Sequence, residues 1–203
     1  MTRLASFSSA ELYDAGGRRC AMDRAIKPVH RGMRLAGRAY TVRCASGDNL
    51  ALHRAITRVG TGQILVIATS GGHEQSYCGA VLCAGAAHQG AAGIVLDGYI
   101  RDSDEIAEGS LPVFCRGAAH VGAVKRAPGE LEIDVTCGGL HVALGQLIVG
   151  DGDGVVGVPP DDEDSVLLRA VSARQREQDL RRGIAAGRTT LEILGLESEG
   201  ARA

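Results

Sequence analysis

The stretches GGHEQSYCGAVL (residues 71–82) and GIVLDGYIRDSDE (residues 93–105) decide the fold of this chain. In the first, glycines precede a helical segment whose residues are small enough to pack closely on a sheet. In the second, the apolar run Gly93–Leu96 predicts a short buried strand that leads into charged residues. Ligands of open α/β sheets gather at the carboxyl ends of strands and the amino ends of helices. The two stretches therefore predict a ligand-binding site where they meet.

A cluster of charged residues follows the predicted strand: Asp97, Arg101, Asp102, Asp104 and Glu105. A solvated loop would account for any one of them. Their crowding favours a site, because adjacent carboxylates stay ionised readily only beside a cation. That cation can be Arg101 or a metal ion, and oxygen ligands suit Mg²⁺ or Mn²⁺ better than zinc. The residues alone thus suggest an anion site at the helix start and Arg101, next to a hard-metal site at Asp102.

Three motifs, in this order and spacing, resemble the RraA-like family: Gly79-x-x-Leu82, Asp97-Gly98 and Arg101-Asp102-x-x-Glu105. This family includes the class II 4-hydroxy-4-methyl-2-oxoglutarate and 4-carboxy-4-hydroxy-2-oxoadipate aldolases. The resemblance covers most of the chain, from about Ala10 to Pro160, and takes in further matching segments: Gly47–Leu50, Leu111–Phe114, Gly138-Gly139 and Asp151–Val156.

The resemblance also implies a fold and an assembly. Mixed strands and helices, with several consecutive strands late in the chain, predict an α/β protein without strict βαβ alternation. The family implies a swivelling-type β/β/α sandwich over residues 1–160. Residues 161–203 are expected to form a helical extension that packs on this single domain or on a neighbouring subunit. The family further implies a homotrimer or homohexamer with active sites in clefts between subunits.

At the Gly79-x-x-Leu82 motif, the resemblance implies that backbone amides hold the carboxylate of a 2-oxo acid, as the start of a helix can. The residues concerned are Gly79, Ala80, Val81 and Leu82.

For the charged motif, the resemblance implies that Arg101 contacts the keto oxygen and offsets the charge of a developing enolate. Asp102 would hold a divalent ion, Mg²⁺ or Mn²⁺, chiefly through waters. Such an ion supplies the electron sink that carbon–carbon cleavage beside a ketone requires. Asp97 and Glu105 are expected to support the metal ligand without touching the metal, and Glu105 can equally be an acid that favours a helix start. These roles imply a lyase that releases pyruvate from 4-hydroxy-2-oxo acids and that can also decarboxylate oxaloacetate.

Two departures from the family pattern leave the substrate open. Many relatives have Glu where this chain has Ala80, and many have Asp where it has Gln146. The only lysines, Lys27 and Lys125, lie outside the motif, which disfavours a Schiff-base aldolase.

Two other functions compete with the aldolase. Some members of the family inhibit an endoribonuclease by binding it, so a non-catalytic regulatory protein is the alternative. The retained Arg101, Asp102 and Glu105 favour the enzyme, because an inhibitor needs no metal site. A methyltransferase is disfavoured because no glycine-rich cofactor loop with a following ribose-binding acid is present.

Composition narrows the class of protein. The chain has 203 residues, 45% of them hydrophobic, which fits one soluble domain. A net charge of −2 and 3% aromatic residues argue against nucleic-acid binding. No signal pattern or membrane-length apolar run is visible, so we expect a cytoplasmic protein that does not bind membranes. The cysteines form no C-x-x-C pair and are expected to be buried thiols: Cys20, Cys44, Cys78, Cys83, Cys115 and Cys137.

The remaining patterns predict individual elements. His53, on a helix that starts after Asn49, is expected to be a packing or capping residue. Glu130–Val135 alternates as one strand with a wet face. Asp151–Gly154 is expected to be a hairpin turn rather than a calcium loop. Val166–Ala186 is expected to be a surface helix, followed by a short closing helix with a glycine cap.

Overall fold

The structure, a computed structural model, describes residues 6–71 and 75–196. Its helices are α1 (Ser9–Ala15), α2 (Leu50–Ile56), α3 (Ala80–His88), α4 (Ser103–Glu108), α5 (Glu163–Ala185) and α6 (Thr190–Leu194). Its strands are β1 (Lys27–Pro28), β2 (Leu35–Cys44), β3 (Gln63–Thr69), β4 (Ser76–Cys78), β5 (Gly93–Asp97), β6 (Tyr99–Ile100), β7 (Val113–Cys115), β8 (Gly117–Ala118), β9 (Glu130–Leu131), β10 (Val135–Cys137), β11 (Leu140–Val142), β12 (Leu147–Asp151) and β13 (Gly154–Val158).

The main sheet has the order β1-β7-β5-β3-β2-β12-β13, with β9 also paired to β2. Its centre, β2, β3, β5 and β7, is parallel, whereas β12 joins β2 antiparallel and continues into β13. The central strands β3 and β5 are nearly continuous apolar runs because both of their faces are covered. This confirms the predicted mixed α/β class, and it confirms Gly93–Leu96 as a buried strand.

A second, small parallel sheet has the order β4-β6-β8 and positions the site. Strand β4 leads through Gly79 directly into α3, and β6 leads through Arg101 and Asp102 into α4. The two strands pair with Ser76 opposite Tyr99 and Cys78 opposite Ile100. The motif residues therefore follow β6, one strand later than the sequence suggested, because Gly98 separates β5 from a new strand in another sheet.

Two apolar cores lie against the main sheet. The larger one takes in β2, β3 and β5 together with small residues of α2 and α3, among them Ala51, Ala55 and Ala86. The smaller one packs α1 and the first turns of α5, through Leu12 and Val166, against β12 and β13. Small side chains on α2 and α3 let these helices approach the sheet closely, which places their ends beside the second sheet.

The helical extension packs on the domain through the first half of α5. Val166 and Ala170 are buried, whereas Leu168 and Val171 are 71% and 57% exposed. Arg174 holds α5 to α1, with Nε 2.6 Å from Glu11 Oε1 and the guanidinium 4.2 Å from the Phe7 ring centroid.

One predicted strand is wrong and one predicted turn is confirmed. Glu130–Val135 was expected to be one strand, but this is wrong: residues 132–134 separate β9 from β10, and the φ of 60° at Glu132 breaks the extended backbone. The hairpin turn at Asp151–Gly154 is confirmed, since these two residues pair across a two-residue loop. The Asp151 carboxylate accepts hydrogen bonds from the Ser9 backbone N (2.8 Å) and hydroxyl (2.6 Å), which fastens α1 to the hairpin.

The short closing helix is also confirmed, with Thr189 as its N-cap and Gly195 as its left-handed C-cap. No helix within residues 6–71 and 75–196 is long and apolar enough to span a lipid bilayer.

Candidate active site

The site forms where two adjacent strands of the small sheet end. The Arg101 backbone N donates to Cys78 O at 2.9 Å, which locks the turn after β6 against the turn after β4. As a result the start of α3 and the pair Arg101-Asp102, separated by more than a helix in sequence, lie side by side.

Gly79 is the point of closest approach. A Cβ atom on Gly79 would lie 2.6 Å from Asp102 Oδ2 and 3.1 Å from Arg101 Cγ. Its φ of −131° is open to any residue, so the constraint is space rather than backbone conformation. The absence of a side chain at Gly79 therefore lets the Arg101 and Asp102 side chains lie over the helix start.

Asp102 adopts a left-handed backbone conformation, with φ 59° and ψ 40°. Such a conformation costs a non-glycine residue on the order of 1–3 kcal/mol and concentrates at functional sites. It aims the carboxylate back at α3, where Oδ2 accepts a hydrogen bond from the Ala80 backbone N at 3.2 Å. The same Oδ2 lies 3.6 Å from Arg101 Nε.

The amides expected to hold a substrate carboxylate are partly engaged within the protein. The Ala80 N–H faces Asp102, and the Leu82 N–H donates to Gly79 O at 3.0 Å. Val81, the next residue along α3, has a side chain that is 83% exposed at the rim of the site. The positive end of the helix dipole and the Arg101 guanidinium still favour an anion here.

A cavity of about 230 Å³ opens on this cluster. Gly79, Arg101 and Asp102 line one part of it, and Asn49, His53 and Lys125 line another. Its volume suits a small organic acid.

His53, expected to be a packing or capping residue, lines the cavity, and its Nε2 is buried without a hydrogen-bond partner among the described residues, as is Asn49 Oδ1. Burial, and then the charge of Lys125, lower the pKa of the His53 imidazole. In the sequence, the spacing of four between Asn49 and His53 could have indicated that both residues line one wall, because it places them on one helix face.

Asp97 lies outside this cluster of contacts. Its Oδ1 is 2.5 Å from Arg116 Nε, and its Oδ2 accepts from Gly138 N at 2.7 Å. Arg116 continues to Asp23 at 3.0 Å. Both oxygens of Asp97 thus tie the end of β5 to neighbouring loops and do not support Asp102 directly.

Glu105 has the position of a helix-start acid. It is exposed in the first turn of α4 and lines a separate cleft between α3 and α4, together with Ala80 and Cys83. The Ala80 side chain therefore faces that cleft rather than the cavity. Gln146 is buried beside β2, with its backbone O bonded to Ala39 N.

All six cysteines are buried and free, as expected. Cys78 Sγ lies 3.6 Å from Cys83 Sγ. The hydrogen bond to Cys83, followed by burial, raises the pKa of the Cys78 thiol well above its ordinary value. Thiols with such a raised pKa are poor nucleophiles, so Cys78 is a packing residue.

The metal-ligating side chains at the cavity suit an ion that keeps most of its waters. Within residues 6–71 and 75–196, no group of three or more His, Cys, Asp or Glu side chains could hold a metal ion. Asp102 provides the carboxylate among the residues that line the cavity, and its side chain is 39% exposed. Mg²⁺ keeps several waters and is commonly held by one or two carboxylates plus substrate oxygens, so Asp102 fits such an ion and would not fit structural zinc.

Comparisons with known proteins point to one family. A family model described as "RraA-like: Aldolase/RraA" matches residues 9–157. A protein of Halalkalibacterium halodurans named "Putative 4-hydroxy-4-methyl-2-oxoglutarate aldolase" is 35% identical over 159 residues, covering 78% of this chain and 76% of that protein.

Two crystal structures are similar to the whole fold. An uncharacterized protein from Pseudomonas syringae pv. tomato has a TM-score of 0.83 and 26% identity, covering 95% of this chain and 94% of its own. Streptomyces coelicolor RraAS2, described as an unusual member of the RNase ES inhibitor RraA protein family, has a TM-score of 0.80 and 27% identity, covering 89% and 94%.

Proposed function

The chain belongs to the RraA-like family, and from that premise we propose that it is a class II aldolase that cleaves 4-hydroxy-2-oxo acids and releases pyruvate. The observation that carries the proposal is the convergence of Arg101, Asp102 and the start of α3 on one cavity. A 2-oxo acid presents a carboxylate beside a ketone. The helix start matches the carboxylate, and the guanidinium matches the ketone oxygen on which negative charge develops.

Arg101 is suited to stabilise an enolate. Its side chain is 55% exposed, and its ion pair with Asp102 is long, at 3.6 Å. The guanidinium can therefore turn toward a bound substrate without breaking a tight internal contact. It remains cationic at any physiological pH, which fits a group that offsets charge and does not transfer protons.

Asp102 would hold a divalent ion, Mg²⁺ or Mn²⁺, largely through water. When bound, that ion supplies a Lewis acid next to the 2-oxo group. The left-handed backbone of Asp102 holds its carboxylate at the rim of the cavity, beside the position proposed for the substrate carboxylate. Decarboxylation of oxaloacetate passes through the same enolate, so we propose that activity as well.

A regulatory protein of the ribonuclease-inhibitor type is the second candidate. It is favoured by the similarity to RraAS2, and by a Thermus structure described as an RNA-processing inhibitor, with a TM-score of 0.69 and 26% identity. An inhibitor acting through its surface would need neither the strained backbone of Asp102 nor the space kept by Gly79. These two features therefore support the enzyme.

Steady-state kinetics of Arg101→Lys on 4-hydroxy-4-methyl-2-oxoglutarate and oxaloacetate test the proposal. Lysine keeps the charge but not the planar fork, and a donor aimed at developing charge is worth roughly 3 kcal/mol. We expect kcat to fall by about tenfold or more, with a smaller change in KM. Arg58→Lys, which changes an exposed arginine outside the cavity, serves as the control. An unchanged kcat would contradict the role of Arg101.

A further inference from the structure

Two buried polar atoms of α2 and its cap lack partners, and both belong to residues that line the cavity. Asn49 is 6% exposed, and its Nδ2 donates to Tyr77 O at 2.8 Å. A carbonyl oxygen only accepts, so this bond determines which end of the amide is which. Oδ1 is then the free end, buried and without a hydrogen-bond partner in the described part of the chain. A buried acceptor left unpaired costs about 1–3 kcal/mol, so this wall of the cavity holds an unsatisfied hydrogen-bond acceptor.

His53 lies one helical turn beyond Asn49. Its backbone N bonds Asn49 O at 3.2 Å, which places both side chains on one face of α2. Its Nε2 is buried and unpaired within the described residues. Because its pKa is lowered by burial and by Lys125, the imidazole is neutral at pH 7 and carries a lone pair on one ring nitrogen.

The proposed reaction needs a proton acceptor that the motif does not supply. Retro-aldol cleavage starts with loss of the proton from the hydroxyl on C4. Arg101 is a permanent cation, and the backbone amides of α3 only donate. Asp102 already accepts from the Ala80 N–H and is the residue proposed to hold the metal. Among the other side chains that line the cavity, the neutral imidazole of His53 is the best proton acceptor.

We propose that His53 is the general base of the aldol cleavage. This inference rests on the proposed function. The Nε2 lone pair takes the hydroxyl proton as the O–H bond breaks. The C4–O bond becomes a carbonyl, and the C3–C4 bonding pair passes to C3 and the keto oxygen as the enolate. Return of the proton to C3 regenerates the imidazole and gives pyruvate, without any oxidant or reductant.

The test compares two substrates of the same site. Oxaloacetate has no C4 hydroxyl to deprotonate, whereas 4-hydroxy-4-methyl-2-oxoglutarate has one. In His53→Gln we expect kcat for the hydroxy acid to fall by about 100-fold or more, with a smaller change in KM. Oxaloacetate decarboxylation should stay within about threefold of the wild type, since no base acts on a hydroxyl in that reaction. His88→Gln, the same change at an exposed position of α3, is the matched control.

Chemical rescue provides an independent measurement. Added imidazole should restore cleavage of the hydroxy acid in His53→Ala, and it should not accelerate the wild type. Equal loss of both reactions in His53→Gln, or unchanged cleavage, would overturn the role of His53, as would failure of rescue. If the wild type converts neither substrate, the proposed function itself fails, and this inference fails with it.

Discussion

Asp102 Oδ2 lies 3.2 Å from the backbone nitrogen of Ala80, the first residue of α3. The residue proposed to hold the metal thus contacts the helix start proposed to hold the substrate carboxylate. This contact requires a backbone path across Gly79 with no side chain in the way, and a left-handed turn at Asp102. The chemistry of the site therefore depends on two local backbone features as much as on the charged groups.

Gly79→Ala should slow turnover strongly while the protein stays folded. The added methyl carbon would lie 2.6 Å from Asp102 Oδ2, so the carboxylate and the Arg101 side chain must move away. We expect kcat to fall by about 100-fold, the scale of a misplaced catalytic group. Gly85→Ala in the same helix meets only Ile56 Cγ2 at 3.6 Å and is the matched control. It should keep full activity and raise stability by about 0.5–1 kcal/mol. Normal turnover in Gly79→Ala would refute the packing argument.

Substitutions of Asp102 should separate stability from activity. Asp102→Ala, Asp102→Asn and Asp102→Gly should all lose turnover, because none supplies a carboxylate. Glycine adopts the left-handed conformation freely, whereas alanine pays roughly 1–2 kcal/mol for it. Chemical denaturation should therefore show Asp102→Gly to be more stable than Asp102→Ala by about 1 kcal/mol. Equal stability of these two variants would mean that residue 102 leaves the left-handed region in solution.

The Glu11–Arg174 ion pair should make stability depend on pH. The hydrogen bond that Arg174 donates to the Glu11 carboxylate is the main cause that lowers the pKa of Glu11 to about 2 from an ordinary 4.5. A lowered carboxyl pKa adds stability above pH 4.5 that is lost as the pH falls toward 2. Glu11→Gln should therefore cost about 2 kcal/mol at pH 7 and almost nothing near pH 2.

The control for this pair is Asp14→Asn, which breaks an exposed pair with Arg18. It should change the free energy of unfolding by less than about 0.5 kcal/mol at either pH. A Glu11→Gln effect that is the same at pH 3 and pH 7 would contradict the linkage.

We predict that the chain assembles into a trimer or a hexamer. The exposed apolar side chains Leu168 and Val171 on α5, and Val81 at the rim of the cavity, would be covered in an oligomer. We expect light scattering to give three or six times the 21.0 kDa chain mass. Leu168→Asp should shift that mass toward the single chain, and a monomeric wild type at micromolar concentration would contradict the prediction.

Much of this structure could be predicted from local patterns. Gly93–Leu96 and the hairpin at Asp151–Gly154 follow from apolar runs and turn residues, which act over a few positions. The separate sheet of β4, β6 and β8 could not be predicted, because strands of two or three residues carry almost no periodic signal. The interruption at Glu132 was missed for a related reason, since a positive φ leaves no mark on an alternating pattern.

The residues of the site were likewise predicted only in part. Arg101, Asp102 and Gly79 were predicted from a motif and do lie together. His53 was predicted to be a packing or capping residue, since one histidine on a helix does not show which surface will face it. The role proposed for it depends on long-range pairing, which brings Lys125 and the end of β4 to the same cavity.

The most direct test of the account is pyruvate release from 4-hydroxy-4-methyl-2-oxoglutarate by the purified wild-type chain, before and after treatment with EDTA. We predict turnover that EDTA abolishes and that added Mg²⁺ or Mn²⁺ restores, and no turnover by Asp102→Asn at any metal concentration. Pyruvate release that is unaffected by EDTA, or full activity in Asp102→Asn, would contradict the metal-dependent aldolase at this site.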